Sequence, residues 1–196
     1  MTKDIIFDFG NVLVQWHPEQ VYGEYFGDEA KAWWFLRHVA DMDFRQRVDA
    51  GESMDKCIHE KQEQYPDYAD AIELYRSKWR EMLTDEVPGM RELIHELRIK
   101  NYELFGLTNW SMETFPEARG HFGILQMIDR YVVSGAEGYV KPDPRLFQIL
   151  LDRYHLKAEG CTFIDDNPDN VAAATKLGMR GIVFTNAENL RKEFAL

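Results

Sequence analysis

The stretch IIFDFGNVL, residues 5–13, decides how this chain is read. Its apolar run carries a single carboxylate, Asp8, at its end and continues through Phe9, Gly10 and Asn11. A short continuous run of β-branched and aromatic residues predicts a strand buried on both faces, the kind found in parallel sheets. A lone carboxylate delivered to the edge of such a strand needs a partner or a task, because an unpaired buried charge is costly.

Similar runs recur along the chain as DIIFDF (4–9), YELFGLT (102–108), RYVVS (130–134), CTFIDD (161–166) and RGIVFT (180–185). Between them lie helical patterns. Met90, Leu93, Ile94 and Leu97 keep the i, i+3, i+4, i+7 spacing of one apolar face, as do Phe147, Leu150, Leu151 and Tyr154. Strands alternating with helices predict an α/β fold, a parallel sheet covered on both faces. The alternation breaks once. Residues 15–87 show no convincing strand and are rich in Trp, Phe, Tyr, Glu, Lys and Arg, so they read as several helices punctuated at Gly27, at the GES turn (51–53) and at Pro66–Asp67. Pro88 and Gly89 mark the return to the sheet. The expected organisation is a core of residues 1–14 and 88–196 with a helical cap at 15–87, standing over the sheet edge where open α/β folds place ligands.

The chain has 196 residues, of which 45% are hydrophobic, enough for one ordinary core or a core with a sizeable insertion. Lys and Arg number 23 against 34 Asp and Glu, a formal charge of −11, and no basic block interrupts this acidity. Nucleic acid and anionic membrane are therefore poor partners. An anionic small substrate needs local attraction from a lysine, helix N-termini or a metal. Cys57 and Cys161 form neither a C-x-x-C pair nor a disulfide framework, which predicts two buried thiols in a reducing compartment. MTKDIIFDFGNVLV offers no cleavable small-residue site, and no run approaches the roughly 18 apolar residues of a membrane span. The expectation is a soluble cytoplasmic protein; its oligomeric state is open, with a monomer favoured.

In a parallel sheet the strand ends converge on one crevice. The first strand delivers Asp8, the second Thr108 and Asn109, the loop after the third Lys141 in GYVKPDP, and the fourth Asp165 and Asp166, with Asn170 about a helical turn later. Asp8 and Asp166 are hard oxygen ligands suited to Mg²⁺, which takes one or two carboxylates plus waters and phosphate oxygens. The Thr108 hydroxyl and nearby N–H groups can hold a phosphoryl oxygen while Lys141 neutralises its charge. So placed, Asp8 can attack phosphorus in line and split one hard displacement into two easier ones.

FDFGNVL, LTNW, GYVKPDP and FIDDNPDN, in this order and at these separations, resemble the four motifs of the haloacid dehalogenase superfamily, in the branch whose helical cap follows the first motif. The resemblance covers essentially the whole chain. Within the branch it looks most like the sugar-phosphate phosphatases of the α-D-glucose-1-phosphate phosphatase type and the phosphatase-like N-terminal domain of soluble epoxide hydrolases. It implies a Rossmann-like parallel sheet with an all-helical cap inserted after the first strand. The implied activity is Mg²⁺-dependent hydrolysis of a small phosphorylated metabolite, such as a sugar phosphate, through an aspartyl-phosphate. Carried over by position, Asp8 is nucleophile and metal ligand, Thr108 the phosphate-binding hydroxyl beside Asn109, and Lys141 the motif-three lysine that meets both nucleophile and substrate. Asp166 is the acidic metal ligand, supported by Asp165 and Asn170.

Gly10 departs from this pattern. Most phosphatases of the family carry there a second aspartate that protonates the leaving oxygen and then activates water. The Gly10 carbonyl can still ligate the metal, but the proton shuttle is missing, and such assistance contributes about 10²- to 10⁴-fold. Either the leaving group is acidic, as in an anomeric hydroxyl or an acyl group, or a cap residue such as His17 supplies the proton. Trp33, Trp34 and Phe35 read as cap packing, whereas Trp16, Arg45 and Arg47 are better placed to touch substrate. Two other functions compete: a metal-independent 2-haloacid dehalogenase, against which the acidic pair in FIDDN argues, and a weakly active binding protein, for which Gly10 is the only support. The six histidines show no zinc spacing.

Overall fold

The computed structural model describes residues 3–196; Met1 and Thr2, where the expected core begins, lie outside the described residues. In chain order, β1 (Asp4–Phe7) and β2 (Val14–Trp16) are followed by six helices, α1 (Pro18–Phe26), α2 (Glu29–His38), α3 (Met42–Asp49), α4 (Met54–Gln64), α5 (Ala69–Ser77) and α6 (Trp79–Met82). Next come β3 (Leu83–Glu86), α7 (Met90–Ile99), β4 (Glu103–Thr108), α8 (Phe115–His121), α9 (Gly123–Gln126), β5 (Tyr131–Val133) and α10 (Ser134–Glu137). The chain closes with α11 (Pro144–Tyr154), β6 (Cys161–Asp165), α12 (Pro168–Lys176), β7 (Arg180–Val183) and α13 (Ala187–Glu193).

Five strands form one parallel sheet in the order β5-β4-β1-β6-β7, so each of the five apolar runs supplies a strand. The period of two along β1 explains why it reads as a continuous apolar run: Ile5 and Phe7 pack into one core cluster and Ile6 into the other. Met90, Leu93, Ile94 and Leu97 of α7 join the first cluster, and Leu146, Phe147, Leu150 and Leu151 of α11 join the second. Both faces of the sheet are thereby sealed. After β5 the chain crosses to β6 on the other side of β1, so the direction of winding reverses at β1, and ligand crevices of open α/β sheets open at such switch points.

One glycine sets the packing beneath that crevice. A Cβ at Gly106, in the middle of β4, would lie 2.4 Å from Phe9 Cζ and 3.0 Å from Tyr131 Cβ. Phe9 is fully buried, stacked near Phe115 at 6.1 Å between ring centroids, and has nowhere to retreat. Gly106→Ala is expected to cost about 1–3 kcal/mol by overpacking. An unchanged urea midpoint would contradict this account of Phe9.

The block between residues 15 and 87 is helical, with one correction. Its composition predicts no strand, yet β2 and β3 pair antiparallel at its two ends, with Val14 opposite Glu86 and Trp16 opposite Leu83. VQW and LTDE are too short and too mixed in polarity to announce themselves, and they pair only because the chain leaves and re-enters the core at adjacent points. Tyr22, Phe35, Phe44 and Tyr75 of the cap are buried and extend the first core cluster. Of the aromatic triplet, Phe35 packs as expected, but Trp33 and Trp34 remain 40% and 43% exposed. Helix α3 starts from an N-cap, Asp41, whose side chain accepts the Phe44 N–H and an ion pair from the buried Lys61 at 2.8 Å. That anchor orients the face carrying Arg45 and Asp49.

Candidate active site

The C-terminal ends of β1, β4 and β6 meet beneath the cap. Asp8 continues the sheet by donating its N–H to Ile164 O at 2.8 Å, which places its side chain at the strand end instead of in the core. Lys141, in the loop between α10 and α11, is 2% exposed. Its ammonium reaches Asp8 Oδ1 at 2.9 Å, Asp165 Oδ2 at 2.7 Å and the Leu107 carbonyl at 2.8 Å, which uses all three of its N–H donors. The backbone holding Lys141 is itself fixed: Asn109 Oδ1 accepts the Lys141 N–H at 2.7 Å, and Asn109 Nδ2 donates to the Lys141 carbonyl at 3.0 Å. Asn109 thus ties the end of β4 to the lysine loop.

Asp165 is fully buried and saturated. Besides Lys141 it accepts from Asn170 Nδ2 at 3.1 and 3.0 Å and from the Asn167 N–H at 2.8 Å. Neither acid of the pair caps the following helix; Asn167 does, its side chain accepting the Asp169 N–H. Asp166 points the other way, with Oδ2 accepting from Asn11 Nδ2 at 3.2 Å. Asn11 adopts φ 56°, a left-handed conformation that Asn tolerates better than most side chains, and its Oδ1 takes the Trp16 N–H at 3.0 Å. It links the acidic pair to the start of the cap. Motif spacing does not single out Asn11, although Asn after Gly is a recognisable left-handed signal.

Carboxylate oxygens of Asp8, Asp165 and Asp166 lie within 4.8 Å of one another. Three acids share one lysine, and the electrostatics follow. Burial holds the Asp8 carboxyl above the ordinary carboxylate range against the opposing pull of Lys141, and burial with the Asp165 charge raises Asp166 as well. For Lys141, burial disfavours the charge, but Asp8 and Asp165 outweigh it and its pKa stays raised. A bound cation would relieve the repulsion in such a cluster, and only Asp8 and Asp166 of the three have oxygens to spare for one.

A cavity of about 260 Å³ opens above this cluster. From the core, Asp8, Gly10, Asn11, Asn109, Trp110, Lys141, Asp166, Asn167 and Asn170 line it; from the cap and its hinges come Trp16, Met42, Arg45, Asp49, Tyr75, Trp79 and Leu83. Among the residues expected at the site, Thr108 and Asp165 sit behind the wall. Thr108 is fully buried and its hydroxyl finds no hydrogen-bond partner among the described residues. Trp16 and Arg45 reach the cavity as expected. Arg47 does not: it is committed to Glu52 at 2.7 Å and Glu60 at 2.6 Å. His17 is also absent from the lining, its Nδ1 engaged with Glu19 Oε1 at 2.8 Å. Asp49, Tyr75 and Trp79 carry no signal in the sequence, since what selects them is the way the cap lies on the core.

The model of the haloacid dehalogenase-like hydrolases matches residues 5–184, and the chain belongs to that family. Over 118 residues it is 35% identical to acyl-CoA dehydrogenase family member 10 of Mus musculus, covering 58% of this chain and 10% of that protein. It is 25% identical over 186 residues to the sesquiterpene phosphatase astK of Aspergillus oryzae, covering 94% of this chain and 91% of the relative. A haloacid dehalogenase family enzyme of Bacteroides thetaiotaomicron, solved with magnesium and inorganic phosphate, superposes with a TM-score of 0.73 at 17% identity over 99% of this chain and 100% of that one. At that identity the likeness speaks for the fold. The chain spans less than half the length of several curated relatives, the mouse protein among them. Among the described residues no helix is long and apolar enough to cross a membrane.

Proposed function

We propose that this hydrolase is a Mg²⁺-dependent phosphatase acting on a small phosphorylated metabolite of sugar-phosphate size through an aspartyl-phosphate on Asp8. The observation that carries the reading is the unequal engagement of the three acids. Asp165 is spent on Lys141, Asn167 and Asn170, whereas Asp8 and Asp166 keep free oxygens facing the cavity. An attack on carbon that expels halide needs no second carboxylate at that position. A hard divalent cation does.

Asp8, Asp166 and the Gly10 carbonyl are the groups suited to hold Mg²⁺, which when bound neutralises phosphoryl charge as a Lewis acid. Lys141 favours the ionised form of Asp8 against its burial and orients it, so that one carboxylate oxygen faces the ester while the other rests on the ammonium and the Phe9 N–H. Asn109 lines the cavity that would take the transferring phosphoryl group, and the Thr108 hydroxyl, buried behind that wall with no hydrogen-bond partner among the described residues, is free to donate toward it. The relatives support the reading: one is a sesquiterpene phosphatase, and one solved structure holds magnesium with inorganic phosphate. The remaining wall is aromatic, with Trp16 and Trp79 at 6.1 Å and Trp79 and Trp110 at 6.0 Å between ring centroids, and Arg45 adds a positive charge for a second anionic or hydroxylated group.

The test is phosphate release from a panel of sugar phosphates with and without EDTA, beside halide release from 2-chloropropionate. Chelation is expected to lower phosphate release by about 10²-fold or more, with recovery on adding Mg²⁺. Halide release that ignores EDTA, with no phosphate ester turned over, would overturn the proposal.

A further inference from the structure

Expelling an alkoxide from phosphorus is slow unless a proton reaches the departing oxygen, and the water that follows must lose one. The cavity contains six side chains able to carry charge or a proton: Asp8, Arg45, Asp49, Tyr75, Lys141 and Asp166. Asp8 is the attacking group, Asp166 is the carboxylate assigned above to hold Mg²⁺, and all three Lys141 donors are taken. Arg45 does not give up its proton in a protein, and burial pushes the Tyr75 phenol out of the useful range. One group is left.

We propose that Asp49, at the C-terminal end of α3, is the proton donor to the leaving oxygen and the proton acceptor for the hydrolytic water. The proposal rests on the phosphatase reading above and supplies the side chain that Gly10 lacks. In the first half-reaction the Asp8 oxygen–phosphorus bond forms, the bond from phosphorus to the leaving oxygen breaks, and the Asp49 proton passes to that oxygen. In the second, Asp49 takes a proton from water as its oxygen attacks phosphorus, the Asp8 oxygen–phosphorus bond breaks, and phosphate leaves with Asp49 protonated again. Atoms and charges balance with ester and water alone.

The seating of Asp49 is built into the cap–core contact. Its carbonyl accepts a hydrogen bond from Ser134 Oγ at 2.5 Å, and that hydroxyl oxygen in turn accepts the Trp110 N–H at 2.8 Å, so Ser134 ties α3 to the loop after β4. Two glycines allow this approach. Gly51 has φ 91°, and a Cβ there would meet the Gly135 carbonyl oxygen at 2.4 Å; one at Gly135 would meet the Trp110 carbonyl oxygen at 2.7 Å. The Asp49 carboxylate itself takes no hydrogen bond among the described residues. Burial pushes its pKa up to about 7 against the pull of Arg45 and Lys141, which suits a group that must both give and take a proton near neutrality. At Gly10 the space is open, since a Cβ there meets nothing within 4 Å.

The experiment measures kcat/KM, which reports the first half-reaction, over a series of aryl and alkyl phosphates for the wild-type enzyme, Asp49→Asn and Asp8→Asn, each with Mg²⁺. Asp49→Asn is expected to lose activity in proportion to leaving-group pKa, reaching about 10²- to 10⁴-fold for alkyl phosphates. Adding Gly10→Asp to Asp49→Asn is expected to restore part of the alkyl-phosphate rate, which a merely structural defect at position 49 would not permit. A fall by one common factor across the series overturns the proposal, and so does a steep leaving-group dependence in the wild-type enzyme, however the variant folds. Hydrolysis surviving in Asp8→Asn marks failure of the phosphatase reading instead, so the two are told apart.

Discussion

Asp8→Asn is expected to lower kcat for every phosphate ester by on the order of 10⁴- to 10⁶-fold, the scale seen when a covalent nucleophile is removed. The fold should survive. Asn is the same size as Asp, and Lys141 keeps both Asp165 and the Leu107 carbonyl as partners after the exchange. The loss of one negative charge also relieves the crowding of three carboxylates within 4.8 Å of one another. Rapid acid quench of the wild-type enzyme with radiolabelled substrate should trap label on the protein, and Asp8→Asn should trap none. Turnover persisting in the variant, or label retained on it, would remove Asp8 from the chemistry.

Lys141→Met should damage stability and activity together. The ammonium is completely buried and is the counter-ion that hydrogen-bonds both Asp8 and Asp165. Methionine fills a similar volume but leaves a saturated, buried Asp165 with no cation beside it. Breaking a buried pair from one side costs about 3–5 kcal/mol because the stranded charge stays desolvated. Asp8 then binds a proton more readily, since the pull that opposes its burial is gone. A nucleophile that is more often protonated, and a phosphoryl group without its positive neighbour, are expected to lower kcat by at least about 10²-fold. Urea denaturation and steady-state kinetics measure the two effects separately. A midpoint within error of wild type would show that the ion pairs contribute nothing to the fold, contrary to the burial of all three groups.

Both residues are legible in the sequence because their surroundings are local. Asp8 ends an apolar run, and a run of that kind reads as an inner strand whose last residue reaches the sheet edge. Asp165 and Asp166 end another run, and Lys141 sits among prolines and aspartates in a loop that must return to the same edge. The roles of Asn11 and Asn109 are less visible, because each acts through hydrogen bonds to residues distant in the chain: Asn11 to Asp166, and Asn109 to both backbone groups of Lys141. The β2–β3 pairing leaves no trace in the pattern because three- and four-residue strands carry almost no periodicity of their own.

The floor of the site follows from the order of residues: the sheet, the polar group that ends each strand and the acid–lysine cluster are governed by short-range burial and alternation. The roof does not. Whether Arg45 or Arg47, His17 or Asp49 faces the cavity depends on how one small helical cap leans on the core through Ser134, Gly51 and Gly135. That lean is set by contacts between groups dozens of residues apart, and no window of sequence contains both sides of them.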